Sequence, residues 1–217
     1  MSHPLLVHEA AFWADHPGAV LAGVDEAGRG CLAGPVVAGA VVIAAEDLPR
    51  LAAEELAAVN DSKQLTERKR EALYDLITAH PAIRWAAGQA SAREIDELNI
   101  LRATHLAMHR ALEGLTPLPD HALVDGLPVK GLPISHTAIV KGDATSLLIA
   151  CASIIAKVTR DRLCRELDRL YPAYGFAKNK TYGTAPHLAA LRQFGPCPEH
   201  RRSFAPVSCI QGELELF

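Results

Sequence analysis

Two adjacent acids at the end of an apolar segment constrain this chain more than any other feature. Asp25 and Glu26 follow the apolar run 19–24, and a Gly-Arg-Gly segment at 28–30 comes almost directly after them. Removing water from a carboxylate is unfavourable unless a metal ion or another cation compensates its charge. Glycines on both sides of an arginine let the backbone approach a large ligand and aim the guanidinium at phosphate. Taken alone, the segment also fits a β-hairpin whose solvated turn holds both acids.

Length, charge and cysteine usage narrow the class of protein. The 217 residues are enough for one domain with a continuous core. The net charge of −3 gives no global basic field, so any phosphate contacts must come from local patches. Five cysteines without a C-x-x-C pair favour reduced thiols. The first 18 residues do not fit a signal peptide, and no apolar run approaches the ~20 residues of a membrane span. We therefore expect a cytoplasmic monomer without a membrane partner.

Apolar periodicity and turn residues predict alternating strands and helices after an initial hairpin. The predicted strands are residues 20–25, 36–43, 83–90, 121–125 and the region around 137–140. The predicted helices are 46–60, a helix capped by Thr66, a helical region opened by Ser91, 146–170 and 186–194. This order predicts an α/β fold with one mixed sheet flanked by helices and a C-terminal helical extension.

Three of the apolar runs end in acids, and this pattern carries the chemical prediction. The acids are Asp25 with Glu26, Asp125, and Asp143 after Lys141-Gly142. Ligands of α/β sheets bind at strand ends, so neighbouring strands would bring four carboxylates together. Such a cluster needs a cation, and all-oxygen ligation favours Mg²⁺ or Mn²⁺ over zinc. The alternative for any one of these acids is a solvated position at a strand end.

Several motifs, taken with their order and spacing, resemble bacterial ribonuclease HII over residues 19–207. They are Asp25-Glu26-Ala27-Gly28-Arg29-Gly30, Asp61-Ser62-Lys63-Gln64-Leu65, Val124-Asp125-Gly126, Lys141-Gly142-Asp143, the run 152–161, Tyr174-Gly175-Phe176, Tyr182-Gly183-Thr184 with His187, and His200-Arg201-Arg202-Ser203-Phe204. The resemblance implies the ribonuclease H-like fold, with a five-stranded mixed sheet. We divide the chain into an N-terminal arm (1–18), a catalytic domain (19–172), a C-terminal extension (173–207) and a tail (208–217).

The resemblance also implies an activity and a set of site residues. The activity is hydrolysis of RNA in RNA–DNA hybrids and cleavage 5′ of single ribonucleotides in duplex DNA, which removes ribonucleotides and RNA primers. By position, the catalytic, metal-binding residues are Asp25, Glu26, Asp125 and Asp143, which would hold two Mg²⁺ or Mn²⁺ ions. The family loop that reads the ribose 2′-hydroxyl corresponds to Gly28, Arg29 and Gly30. Tyr182 matches the tyrosine that packs on the following deoxynucleotide sugar, and Lys63 is expected to contact phosphate rather than to be an ordinary surface lysine.

Residues of the C-terminal extension receive more general roles. Its basic residues are Lys178, Lys180, Arg192, Arg201 and Arg202, against the single acid Glu199. They fit a local phosphate patch, although Arg201 and Arg202 could equally hold this segment against the domain. His187 and His200 are expected to be structural.

Two further residues bear on the site. Asp161 is expected to stabilise its helix. Thr181 stands where the family usually has glycine, and because threonine resists positive φ, the loop that presents Tyr182 is expected to differ.

Other functions remain open at this stage. Within the fold, the chain could prefer long RNA–DNA hybrids or be another phosphotransferase, and from another class it could be a nucleic-acid-binding protein without catalysis. The tail ends in Leu214, Leu216 and Phe217, which resembles the peptide that docks bacterial repair proteins on the sliding clamp. The alternative is that Phe217 packs back on the domain.

Overall fold

The computed structural model describes residues 5–59 and 65–214, with side chains up to residue 210. Within these ranges five strands form one sheet: β1 (Leu21–Ala27), β2 (Val36–Ile43), β3 (Ile83–Ala90), β4 (His121–Asp125) and β5 (Ser135–Ile139). Their order is β3-β2-β1-β4-β5. β2 runs antiparallel to both β1 and β3, whereas β1, β4 and β5 are parallel to one another. The predicted five-stranded mixed sheet is therefore confirmed.

Helices surround this sheet and continue beyond it. They are α1 (Val7–Asp15), α2 (Leu48–Ala53), α3 (Glu67–Ala79), α4 (Ala92–Leu98), α5 (Ile100–Glu113), α6 (Leu147–Leu170), α7 (Phe176–Asn179), α8 (Ala185–Phe194) and α9 (Ala205–Leu214). The predicted caps are present: the side chains of Thr66, Ser91 and Ser146 accept hydrogen bonds from the first turns of α3, α4 and α6. None of the helices in the described ranges has the length and apolar character needed to cross a membrane.

The sheet lies between two helical layers. α6 packs on one face of β1 and β2, and α5 packs on the other face against β2 and β3. Glycines allow the close approach of α6: a Cβ at Gly23 would lie 2.1 Å from the Leu148 carbonyl carbon, and one at Gly39 would lie 2.3 Å from Ala152 O. The helix backbone thus rests almost directly on the strands, which places its later turns beside the carboxyl end of β1.

The C-terminal extension packs on the segment that follows β1. Leu32 and Ala33 share an apolar cluster with Phe176, Leu191 and Val207. The Arg201 amide donates to Leu32 O at 2.8 Å, and Ala33 pairs with His200 in an isolated β-bridge. These contacts tie the extension to the loop that includes the Gly-Arg-Gly segment.

One secondary-structure prediction is wrong. The helix predicted over 46–60 spans only Leu48–Ala53 and gives way to turns, because Leu56 and Val59 turn inward to join the core. Alanine content misled this prediction. The last helix, α9, reaches Leu214, and Val207 and Ile210 bury their side chains in the cluster of the extension.

Candidate active site

The three parallel strands bring the four predicted acids to one edge of the sheet. Asp25 and Glu26 lie at the carboxyl end of β1, and Asp125 is the last residue of β4. Asp143 lies in a short 3₁₀ turn, residues 142–144, just after β5. Val24 pairs with Val124 in the sheet, so the acids that follow them are neighbours. Parallel strands end at a common edge, which is where α/β folds bind ligands.

Asp25 is the most perturbed of these acids. It is 5% exposed, and its Oδ1 accepts from the Glu26 amide at 2.6 Å. Burial, followed by the negative charges of Glu26 and Asp125, raises the pKa of Asp25 well above its usual value. A hydrogen bond with Ser153 and the Glu26 amide favour the ionised form and offset only part of this shift. The carboxyl group therefore lies in a site that disfavours negative charge until a cation enters.

Asp125 and Asp143 are linked through the backbone between them. The Gly142 amide donates to Asp125 Oδ1 at 2.7 Å, and Asp143 follows directly with 5% exposure. Lys141 adopts the left-handed conformation, with φ of 58°, and starts the turn. The tight turn thus sets Asp143 beside the end of β4.

The acids suit a hard divalent cation by donor type. All four offer carboxylate oxygens, which Mg²⁺ and Mn²⁺ prefer. A bound cation would offset the burial and, after it, the charges of Glu26 and Asp125 that raise the pKa of Asp25. Within residues 5–59 and 65–214, no group of three or more His, Cys, Asp or Glu side chains is arranged to hold a metal ion as it stands.

Two cavities flank the acids. One, of about 130 Å³, is lined by Asp25, Glu26, Ala27, Gly28, Ser153, Lys157, Arg160 and Tyr182. The other, of about 140 Å³, is lined by Glu26 and Asp125 together with Arg29 and residues of α5 and of the segment after β4. Glu26 lines both cavities. The predicted loop and Tyr182 thus adjoin the predicted acids.

The Gly-Arg-Gly loop, residues 28–30, turns sharply after β1. Gly28 has φ of 96°, which favours glycine, and a Cβ there would lie 1.9 Å from Arg160 Nε. Arg29 is half exposed, and its Nη1 lies 3.3 Å from Glu26 Oε1. Gly30 has open space where a side chain would begin. The loop therefore presents its backbone and one half-exposed cation next to the acids.

Thr181 precedes Tyr182 in an unfavourable backbone conformation. Its φ is 64°, in the left-handed region that a β-branched residue usually avoids. Its hydroxyl accepts from Arg160 Nη2 at 2.6 Å and donates to Lys180 O at 2.7 Å. Tyr182 is 46% exposed beside the acids. The unfavourable conformation is held by hydrogen bonds that the sequence alone did not reveal.

The remaining predicted residues divide into several groups. Lys63 lies outside the described residues. Arg201 is fully buried and donates to Gly34 O and Arg29 O at 3.0 Å, so it is not part of a surface phosphate patch but holds the extension in place. Asp161 pairs with Lys157 one turn away in α6 at 2.6 Å, as expected of a helix-stabilising acid.

His187 and His200 are buried together, with their Nε2 atoms 3.0 Å apart. They line neither of the two cavities beside the acids, in keeping with a structural role.

Sequence reasoning missed the roles of Ser153 and Arg160 in α6. Both line the cavity beside Asp25 and Tyr182. Both lie in the run 152–161, which carries the resemblance, and they are spaced seven residues apart, two turns along one helix face. That spacing is the signal that could have placed them at the site.

Comparison with known proteins finds relatives that match most of the chain. The family model for ribonuclease HII matches residues 22–207. A ribonuclease HII of Acidovorax sp. (strain JS42) is 54% identical over 204 residues, covering 94% of this chain and 93% of that protein. A ribonuclease HII of Desulfitobacterium hafniense (strain DSM 10664 / DCB-2) is 56% identical over 197 residues, covering 90% and 71%.

Solved structures show the same fold. The ribonuclease H2 of Pyrococcus horikoshii OT3 superimposes with a TM-score of 0.73 at 29% identity, covering 90% of this chain and 99% of that one. The ribonuclease HII of Archaeoglobus fulgidus, solved in complex with PCNA, gives 0.70 at 27% identity, covering 85% and 95%. A ribonuclease HIII, Bst-RNase HIII, solved with Mn²⁺, gives 0.71 at 18% identity, covering 94% and 73%. Over most of its length the chain thus resembles nucleases of one fold.

Proposed function

This chain belongs to the ribonuclease HII family and is a ribonuclease H type 2 hydrolase, and from this premise we propose that it cleaves RNA in RNA–DNA hybrids and 5′ of single ribonucleotides in duplex DNA. The observation that carries the proposal is the cavity that Asp25 and Glu26 share with Gly28 and Tyr182. A nuclease for RNA joined to DNA must recognise a 2′-hydroxyl and cut a phosphodiester at the same place. In this cavity the acids lie beside the groups that would recognise the ribose.

We assign the metal-binding role to Asp25, Glu26, Asp125 and Asp143. When bound there, two Mg²⁺ or Mn²⁺ ions would supply an activated water and stabilise the leaving 3′ oxygen. The metal dependence draws support from the all-carboxylate donor set and from the burial and neighbouring negative charges that raise the pKa of Asp25. The Mn²⁺ bound by Bst-RNase HIII is a property of that protein, and it makes Mn²⁺ a natural first ion to test.

The substrate-binding role falls to the groups around the acids. The backbone of Gly28 and Gly30 would contact the ribose 2′-hydroxyl, since neither residue has a side chain to prevent close approach. The guanidinium of Arg29, half exposed beside Glu26, would pair with a phosphate. Tyr182 would pack its ring on the sugar of the following deoxynucleotide, and we retain Lys63 as a phosphate contact from its motif.

Cleavage of defined duplexes tests this proposal. The substrates are duplex DNA with one ribonucleotide, an RNA–DNA hybrid and an all-DNA duplex, each with Mg²⁺ or Mn²⁺. We expect cutting of the first two, with the product ending in a 5′-phosphate on the ribonucleotide, and none of the third. Equal cutting of all-DNA duplex would contradict the substrate assignment. Calorimetric titration with Mn²⁺ of the wild type and Asp143→Asn separates an enzyme from a binding protein that has lost catalysis.

We further propose that the tail docks on the replication sliding clamp. The complex with PCNA was solved for the Archaeoglobus fulgidus protein and supports testing the same partner class here. Leu214 ends α9, and Leu216 and Phe217 lie outside the described residues. A peptide covering residues 208–217 should bind the cognate clamp, and the Leu216→Ala, Phe217→Ala peptide should not. Lack of binding below about 1 mM would leave the tail without this role.

We also propose a cytoplasmic monomer. All five cysteines are free thiols, and four of them are buried in the core. This pattern supports a reducing compartment. Sedimentation of the purified chain would test the oligomeric state.

A further inference from the structure

Arg160 has unusual surroundings for a charged residue. It lies on α6 with 1% of its surface exposed. In the part of the chain that the structure describes, its Nε donates to Pro35 O, its Nη1 to Lys180 O and Cys164 Sγ, and its Nη2 to Ala33 O and Thr181 Oγ1. A guanidinium has five N–H donors, so these five bonds use all of them. Such complete pairing fixes the side chain in one orientation.

The Arg160 side chain also packs against the Gly-Arg-Gly loop. A Cβ at Gly28 would lie 1.9 Å from Arg160 Nε and 2.5 Å from its Cδ, so the Gly28 backbone rests directly on this side chain. Arg160 also lines the cavity beside Asp25 and Glu26. Any movement of Arg160 would therefore move the loop that adjoins the acids.

On its other side Arg160 holds the turn that presents Tyr182. Lys180 and Thr181 have φ values of 50° and 64°, two consecutive left-handed residues neither of which is glycine. The Thr181 side chain is fully buried, its amide donates to Asn179 Oδ1 at 2.8 Å, and its carbonyl accepts from the Leu32 amide at 2.9 Å. The hydroxyl of Thr181 completes this arrangement by accepting the shortest of the Arg160 hydrogen bonds, at 2.6 Å.

We propose that Arg160 is a positioning residue that joins the Gly-Arg-Gly loop to the Tyr182 turn, and that the Thr181 hydroxyl is this chain's own part of that link. This link fixes the distance between the Gly-Arg-Gly loop, which is proposed to contact the ribose, and the Tyr182 ring, which is proposed to pack on the next sugar. Recognition of an isolated ribonucleotide needs both contacts at a set distance, whereas a long hybrid offers a ribose in every register. This inference rests on the proposed function and adds the residues that set its selectivity.

The test compares Thr181→Val with Thr181→Ser. Valine keeps the branched shape and removes the hydroxyl, and serine keeps the hydroxyl. We measure kcat and KM on the single-ribonucleotide duplex and on the hybrid. For Thr181→Val, we expect kcat/KM on the single ribonucleotide to fall about tenfold relative to the hybrid, the usual effect of losing one hydrogen bond to a charged group. Thr181→Ser should stay within about twofold of wild type on both.

Controls separate positioning from general stability. Thr78→Val removes a comparable hydroxyl that bonds Tyr74 O in α3 and should leave the ratio of the two substrates unchanged. In a Tyr182→Ala background, Thr181→Val should cause no further change in that ratio, because the ring it positions is gone. Melting temperatures of all variants are recorded in parallel.

The assays distinguish a failure of this inference from a failure of the proposed function. If wild type cleaves both substrates and Thr181→Val lowers both rates equally, or lowers only the melting temperature, Arg160 and Thr181 are structural and the inference is overturned. If wild type cleaves neither substrate, the proposed function itself fails.

Discussion

Neighbouring arginines in the C-terminal extension take opposite positions. Arg202 is exposed, whereas Arg201 is fully buried, and burial lowers the pKa of Arg201 to about 10. Arg201 stays in place because its guanidinium donates to Gly34 O and Arg29 O, although its Nη2 has no partner among the described residues. Removing water from a guanidinium is unfavourable, so a buried arginine at this position indicates a specific structural role. That role is to support the Gly-Arg-Gly loop through its hydrogen bonds.

Asp25→Asn and Asp143→Asn are expected to abolish cleavage while substrate binding persists. Each change removes a carboxylate proposed to bind metal, whereas the phosphate contacts remain. Cleavage rates with Mg²⁺ and electrophoretic binding assays check this. Metal-ligand losses usually exceed tenfold, so a variant with more than about a tenth of the wild-type rate would remove that residue from the site.

Asp25→Asn should also raise the melting temperature in metal-free buffer at neutral pH. The pKa of Asp25 is raised above its ordinary 3.8, so the folded state resists ionisation of this group more than the unfolded state does. Stability is therefore lost as the pH rises through 3.8 toward the folded-state pKa, and the neutral amide avoids that loss. Melting curves at pH 3.5 and pH 8 should show the gain at pH 8 only. A gain of equal size at both values would point to packing instead.

Tyr182→Ala is expected to reduce cleavage at an isolated ribonucleotide more than within a long hybrid. The half-exposed ring beside the acids is available to one particular sugar, so its loss should affect the RNA–DNA junction. The ratio of kcat/KM on the two substrates measures this, with Tyr182→Phe as the matched control that keeps the ring. Equal losses on both substrates would make Tyr182 an aromatic that stabilises the fold.

Helix α6 extends from the hydrophobic core to the candidate active site. Its first turn is held by Glu9 of α1, whose Oε1 accepts from Ser146 Oγ at 2.6 Å and from the Leu148 amide at 3.1 Å. Its middle turns lie on the glycines of β1 and β2, and its later turns carry Ser153 and Arg160 to the site. The distance between α6 and the sheet therefore sets the geometry of the cavity that Ser153 and Arg160 line.

Gly39→Ala should destabilise the protein by about 3 kcal/mol, the upper end of what overpacking a core usually costs. The added Cβ would lie 2.3 Å from Ala152 O and 3.0 Å from Ala156 N, and backbone atoms cannot move aside as a flexible side chain can. Urea denaturation measures the change. Gly30→Ala, with open space at the Cβ position, is the control and should leave the urea midpoint within error.

Elements with strong local signals could be predicted from sequence, and those set by distant contacts could not. The strands at 36–43 and 83–90 match residue for residue, and the first is defined locally by its β-branched residues. The convergence of the four acids could also be predicted, because three predicted strands each end in acidic residues and ligands bind at strand ends. The conformation of Thr181 could not be predicted, because it depends on Arg160, a residue far away in the chain.

Two histidines contact each other in the interior of the C-terminal extension. His187 of α8 and His200 lie with their Nε2 atoms 3.0 Å apart, the Cys197 amide donates to His200 Nδ1, and His187 Nδ1 lies 2.8 Å from Tyr182 O. One proton arrangement satisfies all three contacts: His200 carries its proton on Nε2, and His187 carries its own on Nδ1. Both rings must be neutral, since a second proton would face another N–H.

The contribution of the two histidines to stability should be lost as the pH falls from about 6.5 to about 4. Burial, then the neighbouring His187 and Arg202, lower the pKa of His200 to about 4, and burial lowers that of His187. In this window the unfolded chain binds protons that the folded chain excludes, so acid favours unfolding. Urea midpoints at pH 7 and pH 5 test this, with His200→Gln as the comparison. An equally steep pH dependence in the variant would assign the effect to other groups.

The contact between Arg201 and Arg29 has a consequence for the order of synthesis on the ribosome. Asp143, the last of the four acids, is translated well before Arg201, which bonds the carbonyl of Arg29. At about 5–20 residues per second, several seconds separate the two. An unfinished chain therefore contains all four acids before the arginine that holds the Gly-Arg-Gly loop has been added.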